Sequence, residues 1–107
     1  MLQSEVNLNL ILEMILKIEK DSGKSLYDDT VWDAMLMRFQ VIGESVSKLQ
    51  EDVKKKHQEV NWRKFYSFRN SISHEYASVP HVVVADLIRE VPSLKRAVLK
   101  IKSEVKK

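Results

Sequence analysis

Apolar residues recur three or four positions apart through most of this chain, the spacing that gathers them on one face of an α-helix. Val6, Ile11, Met14, Ile15 and Ile18 form the first stripe, and Asp21-Ser22-Gly23 follows it as a stop signal. After the linker Lys24-Ser25-Leu26-Tyr27, one of Asp28, Asp29 or Thr30 can cap a second helix. Its stripe of Val31, Met35, Phe39, Ile42, Val46, Leu49 and Val53 predicts a run to about Val53. The stretch from Glu51 to Glu59, with Lys54-Lys55-Lys56 and His57, holds too few apolar positions for a core face and reads as a solvated connection in which His57 carries no chemistry. Asn61 can cap a third helix beginning at Trp62, with Phe65, Phe68, Ile72, Tyr76 and Val79 along one side. Pro80 suits the first turn of a fourth helix that packs Val82, Val83, Val84, Leu87, Ile88 and Val91. Pro92 is then expected to break or kink it before Leu94, Val98, Ile101 and Val105 resume the pattern. Four or five such helices with short connections predict an all-α, up-and-down bundle forming a single domain over residues 1–107.

Composition supports the helical reading. With 2 Gly and 2 Pro in 107 residues there is little material for tight turns, and a chain of this length buries roughly two thirds of its unfolded surface in one core. The absence of cysteine excludes a disulfide framework, a thiolate zinc site and a cysteine nucleophile, and it suits a reducing, cytoplasmic location. The first residues, with Gln3, Ser4, Glu5, Asn7 and Asn9, lack the basic start and apolar run of a signal peptide. No run approaches the roughly 20 apolar residues of a membrane span, so a soluble protein is expected. The net charge of +3 is uneven: Lys95, Arg96, Lys100, Lys102, Lys106 and Lys107 against Glu104 leave +5 after residue 93. Such a basic end can touch nucleic acid, but lysines in a last helical turn also complement the helix dipole and solvate a surface face.

Chemistry concentrates in one octet, Arg69-Asn70-Ser71-Ile72-Ser73-His74-Glu75-Tyr76. Arginine can neutralise a phosphate, histidine can move a proton near neutral pH, and tyrosine offers a hydroxyl open to modification. Arg69 and His74 are five residues apart, about 140° around an ideal helix, so one straight helix does not point both at one ligand. They converge through a helix that loosens after Ile72, through the reach of the arginine, or through a two-fold dimer; the dimer is the favoured route. Asn70 and His74, at i and i+4, share a face, so the carboxamide can orient the imidazole. Trp62, Arg69 and Tyr76 recur every seven residues, which sets Arg69 beside the apolar stripe and in need of an anion, either Glu44 or a substrate phosphate. The competing structural account has the arginine merely salt-bridged and the histidine satisfying terminal carbonyls. A metal site is not expected, because none of the 3 His pairs with another His or a carboxylate at ligand spacing backed by further ligands.

The string RNSISHEY, preceded by Val60-Asn61-Trp62 and Phe68 and followed by Val79, resembles the signature of HEPN proteins, specifically the HepT-like toxins. That pattern is an arginine followed by a polar residue, a histidine after a short gap, and a tyrosine two further on; Arg69, Asn70, His74 and Tyr76 fill all four positions. The likeness extends to Arg38-Phe39, to Ile42-Gly43-Glu44-Ser45 and to Val91-Pro92-Ser93-Leu94. Ser73 stands where an aliphatic residue is the expectation. The resemblance implies a helical bundle that dimerises so that two motifs face one cleft, and a metal-independent ribonuclease that needs no cofactor. It implies Arg69 and His74 as catalytic residues, Asn70 as support, and Tyr76 as the site adenylylated by a partner, a minimal nucleotidyltransferase antitoxin that silences the toxin. Two other classes compete: a non-catalytic helical module that binds nucleotides or a partner, and the antidote of such a pair.

Overall fold

Five helices account for the regular structure in the computed structural model, which describes the backbone of residues 3–75 and 79–105 and the side chains of residues 4–70 and 79–105. They are α1 (Gln3–Lys20), α2 (Asp29–Ser47), α3 (Glu51–Lys56), α4 (Trp62–Glu75) and α5 (His81–Val105), with no strand among the described residues. The expected all-α bundle is what forms. Helix α1 ends in a turn where Gly23 takes φ +89, a left-handed conformation that costs glycine little. Asp28 is the residue that caps α2, its carboxylate accepting from the Val31 N–H at 3.1 Å. Asn61 caps α4 in the same way, accepting from the Lys64 N–H at 3.3 Å.

One core joins the apolar stripes. Helix α2 packs on α1 and α4, and α1 packs on α5. Leu8, Ile11 and Ile15 of α1, Phe39, Ile42 and Val46 of α2, Phe65 of α4, and Val84, Leu94 and Val98 of α5 are all fully buried. Phe39 meets Phe68 edge-on with ring centroids 6.1 Å apart, an arrangement that suits the aromatic quadrupole.

Val6, Val82 and Val83, expected within the packing stripes, are exposed, and further expectations also need correction. Helix α2 stops at Ser47 rather than near Val53. There the Ser47 hydroxyl donates to the Glu44 carbonyl at 2.6 Å, and the Lys48 and Leu49 amides close back on Ser45 and Val46 three residues earlier, a tightened last turn. The following charged stretch is not a solvated connection: it folds as α3, with Lys54 and His57 buried. Lys54 Nζ donates to the Val46 carbonyl at 3.4 Å, supplying a partner at the C-terminus of α2, and pairs with Glu51 at 3.1 Å. The His57 carbonyl accepts from Trp62 Nε1 at 2.9 Å, so this residue anchors the start of α4.

At Pro92, finally, where a break or a kinked continuation is expected, the break does not occur and the helix continues. The proline lies within continuous α5, exposed, while Val91 and Leu94 beside it remain buried. An interior proline costs about 3 kcal/mol in an isolated helix, and the unbroken stripe of Leu87, Val91, Leu94, Val98 and Ile101 offsets it by packing on both sides.

Candidate active site

Residues 69–75 of the octet lie on α4, and the position of α4 is set by a glycine on α2. A Cβ added at Gly43 would lie 2.5 Å from the Phe65 carbonyl oxygen and 3.3 Å from the Arg69 Cβ. Only the absence of a side chain lets the two helices approach this closely. One turn later Ser47 is again small, so Gly43 and Ser47, four residues apart, form a shallow groove on α2 for α4. Lys64 fastens the other side of α4 to α5 through Asp86 at 2.8 Å and Glu90 at 3.2 Å. Those contacts, Asp86 first, raise the Lys64 pKa above its ordinary value, and the Lys64 hydrogen bond lowers that of Asp86.

Across the groove Arg69 Nη1 lies 3.9 Å from Glu44 Oε2 and 3.4 Å from Ser47 Oγ. About a third of the Arg69 side chain, 35%, remains exposed, and Glu44 is 51% exposed and also within 3.6 Å of Lys48. The expected placement beside the apolar stripe holds: Phe65 and Phe68 on the same helix are buried. The anion the arginine needs is met at least in part by Glu44, one of the two partners the sequence analysis offers.

Helix α4 stays α-helical through Glu75, which removes loosening after Ile72 as the way to bring Arg69 and His74 together. His74 therefore follows Arg69 by about 7.5 Å along the axis and about 140° around it. Asn70 is exposed and one turn before His74. The side chain of His74, its expected bond with Asn70, and Tyr76 altogether lie outside the described residues. Two contributors escaped the sequence reading. Ser47 was passed over although its spacing from Gly43 is a small-residue signal, and Gly43 was noted for resemblance alone rather than as the spacer under Arg69.

Among the described residues no group of three His, Cys, Asp or Glu side chains could hold a metal ion, and no helix is long and apolar enough to cross a membrane. What the arrangement offers chemically is a cation with a partly open face, on a helix whose sequence carries a histidine further along.

The family model described as HepT-like, ribonuclease HepT-like, matches residues 4–101. A protein of Caldanaerobacter subterraneus subsp. tengcongensis named "Putative RNase" is 29% identical over 99 residues, 87% of this chain and 88% of that protein. "Probable ribonuclease HepT" of Thermococcus cleftensis is 30% identical over 91 residues, 79% and 83% of the two chains. "Gamma-glutamylcyclotransferase and putative RNase" of Methanocaldococcus jannaschii is 28% identical over 109 residues, which cover 96% of this chain and 49% of that protein, so the chain spans about half its length. No solved structure matches.

Proposed function

Because this chain belongs to the HepT-like ribonuclease family, we propose that it is a metal-independent, RNA-cleaving toxin acting in the cytoplasm as a homodimer. The observation that carries this reading is the placement of Arg69: a partly exposed guanidinium beside a glycine-spaced helix crossing, on the same helix as His74. RNA supplies its own nucleophile, the ribose 2′-hydroxyl, so a site needs only a group that takes its proton and a group that holds the phosphate. His74 accepts the 2′-hydroxyl proton as the oxygen attacks phosphorus, and a histidine returns a proton to the departing 5′-oxygen. The products are a 2′,3′-cyclic phosphate and a 5′-hydroxyl. Arg69 stabilises the charge that develops on the non-bridging oxygens, displacing Glu44 from its longer contact. Asn70 orients His74. The angular separation of Arg69 and His74 on α4 is resolved by a second copy, whose motif faces the first across one cleft.

Tyr76 is the control point in this reading. A minimal nucleotidyltransferase partner directs its hydroxyl onto the α-phosphate of ATP, expelling pyrophosphate and leaving an adenylyl group beside the cleft. The added bulk and negative charge repel RNA, a local steric and electrostatic switch.

Incubating purified wild type, Arg69→Ala and His74→Ala with single-stranded RNA tests the nuclease reading. Cyclic-phosphate products from the wild type alone are expected; equal cleavage by both variants, or none by the wild type, refutes it. In the second case a binding module or an antidote becomes the better account. Intact-mass measurement after reaction with the partner and ATP tests the switch: one adenylyl addition is expected, absent in Tyr76→Phe.

A further inference from the structure

At the opposite end of α4 from His74, a cavity of about 570 Å³ opens between α3 and the first turns of α4. Its volume falls within the roughly 300–1,000 Å³ of small-ligand sites. Lys54, Lys55, Arg63 and Tyr66 line it. Three glutamates line it too: Glu51 pairs with Lys54 at 3.1 Å and Glu90 with Lys64 at 3.2 Å, while Glu59 lies 3.4 Å from His57, an ion pair only when that imidazole is protonated. Lys55 and Arg63 are exposed and pair with no carboxylate among the described residues. Two of the three lining cations therefore have no ion-pair partner among the described residues, in a lining whose three cations and three carboxylates balance in formal charge. Tyr66 is partly buried, with Lys54 Nζ 5.8 Å from its ring centroid, so one aromatic ring is held in place by a cation and α4.

The register of α4 links this cavity to the motif. At about 100° per residue, Arg63, Asn70 and His74 fall within about 40° of one another on one helix face, and Tyr66 stands between that face and the Arg69 side. Position 66 precedes position 74 by about 12 Å along the axis. The cavity and the motif thus lie along one helix, with Arg63, Asn70 and His74 on the same side of it.

Resting on the ribonuclease reading, we infer that the cavity is a substrate subsite for an unpaired RNA nucleotide flanking the cut, with Tyr66 stacking on its base and Arg63 and Lys55 meeting its phosphates. A fixed aromatic ring beside unpaired cations is the combination that binds single strands with little sequence preference. The cations contribute in a salt-dependent way, because each phosphate they neutralise releases counterions.

The test compares full-length wild type, Arg63→Glu and Tyr66→Ala on a single-stranded oligonucleotide long enough to span α4 and on a dinucleotide holding only the cut. The ratio of the two kcat/KM values is expected to fall about tenfold in each variant, the size of one lost stacking or phosphate contact. The salt dependence of oligonucleotide binding should fall by about one unit of slope in Arg63→Glu. Arg63→Lys and Tyr66→Phe should restore most of both, which a purely structural role for these side chains would not do. Wild type that cleaves neither substrate overturns the ribonuclease reading. Wild type that prefers the long substrate, with Arg63→Glu and Tyr66→Ala keeping that preference and the salt slope, overturns the subsite alone. Variants that bind RNA normally but lose a protein partner likewise overturn it, assigning the cavity to that partner.

Discussion

Arg38 of α2 meets Asp21 at 2.7 Å with 13% and 15% of the two side chains exposed, whereas Arg69 of α4 meets Glu44 at 3.9 Å with 35% and 51% exposed. Both arginines bridge between segments of one bundle, and both belong to the stretches that resemble the HepT-like pattern. The first contact is short and shielded from water. It ties the turn after α1 to α2, and Lys24 adds a second cation to the same aspartate at 2.9 Å. The second contact is long and open to solvent. An exposed pair at that distance contributes little to stability. A guanidinium that keeps about a third of its surface open beside a helix crossing is placed to meet a phosphate. Exposure thus separates an arginine that fastens the fold from one suited to a ligand, although residue type and neighbours in the chain do not.

The largest test of that contrast is functional. Arg69→Ala should lower RNA cleavage by roughly 10²–10³-fold and His74→Ala by roughly 10²–10⁴-fold, with melting temperatures close to wild type. Arg38→Ala should do the reverse, losing thermal stability while each folded molecule keeps cleaving; calorimetry beside single-turnover kinetics separates the two. If Arg38→Ala lost cleavage without losing stability, the division would collapse.

Gly43→Val should disturb the ligand-side arginine through the backbone. Its Cβ must displace the Phe65 carbonyl or the Arg69 Cβ, at a cost of about 1–3 kcal/mol by the usual penalty of overpacking. Denaturant melts give the stability loss, and cleavage measured on the remaining folded protein should also fall, since Arg69 moves with α4.

A smaller effect concerns acid. Hydrogen bonds from Lys24 first, then Arg38, lower the Asp21 pKa below its ordinary 3.8. A carboxylate with a depressed folded-state pKa contributes stability that is fully present above its unfolded value and is lost as pH falls toward the folded one. The difference in melting temperature between wild type and Asp21→Asn should therefore be constant near neutrality and shrink as pH drops below about 4. A difference independent of pH would assign the effect to shape rather than charge.

Smallest of all, Glu44→Gln should leave stability nearly unchanged and strengthen RNA binding a few-fold, by removing the charge that competes for Arg69. Weaker binding in that variant would instead make Glu44 part of the substrate site.

Much of the fold was legible along the chain because helical periodicity and capping are local. Asp28 and Asn61 cap where their side chains and positions suggest. The misread segments are those whose fate depends on distant atoms. Lys54 looks like a solvated lysine until the Val46 carbonyl at the end of α2 is placed beside it. At Pro92 the chain alone leaves a break and a kinked continuation open, and burial of Val91 and Leu94 against the core decides for continuation. At the site, the residue types and the incompatibility of Arg69 with His74 on one straight helix were readable. The role of Gly43 and Ser47 in the groove under Arg69 was not.

By itself the sequence determined the all-helical class, the caps, the stripes that, apart from Val6, Val82 and Val83, supply the core, and a likeness to its family. These follow from interactions within a few residues of one another, which a linear pattern records. Tertiary structure alone decided that α2 ends at Ser47, that a lysine-rich stretch becomes a partly buried helix beside a cavity, and that Arg69 stands at a glycine-spaced crossing with its cation partly open to water. The physical reason is the same in each case. Whether a charge is buried, paired or left facing solvent is settled by which backbone and side-chain atoms another helix brings within a few ångströms, and spacing along one helix carries no record of that.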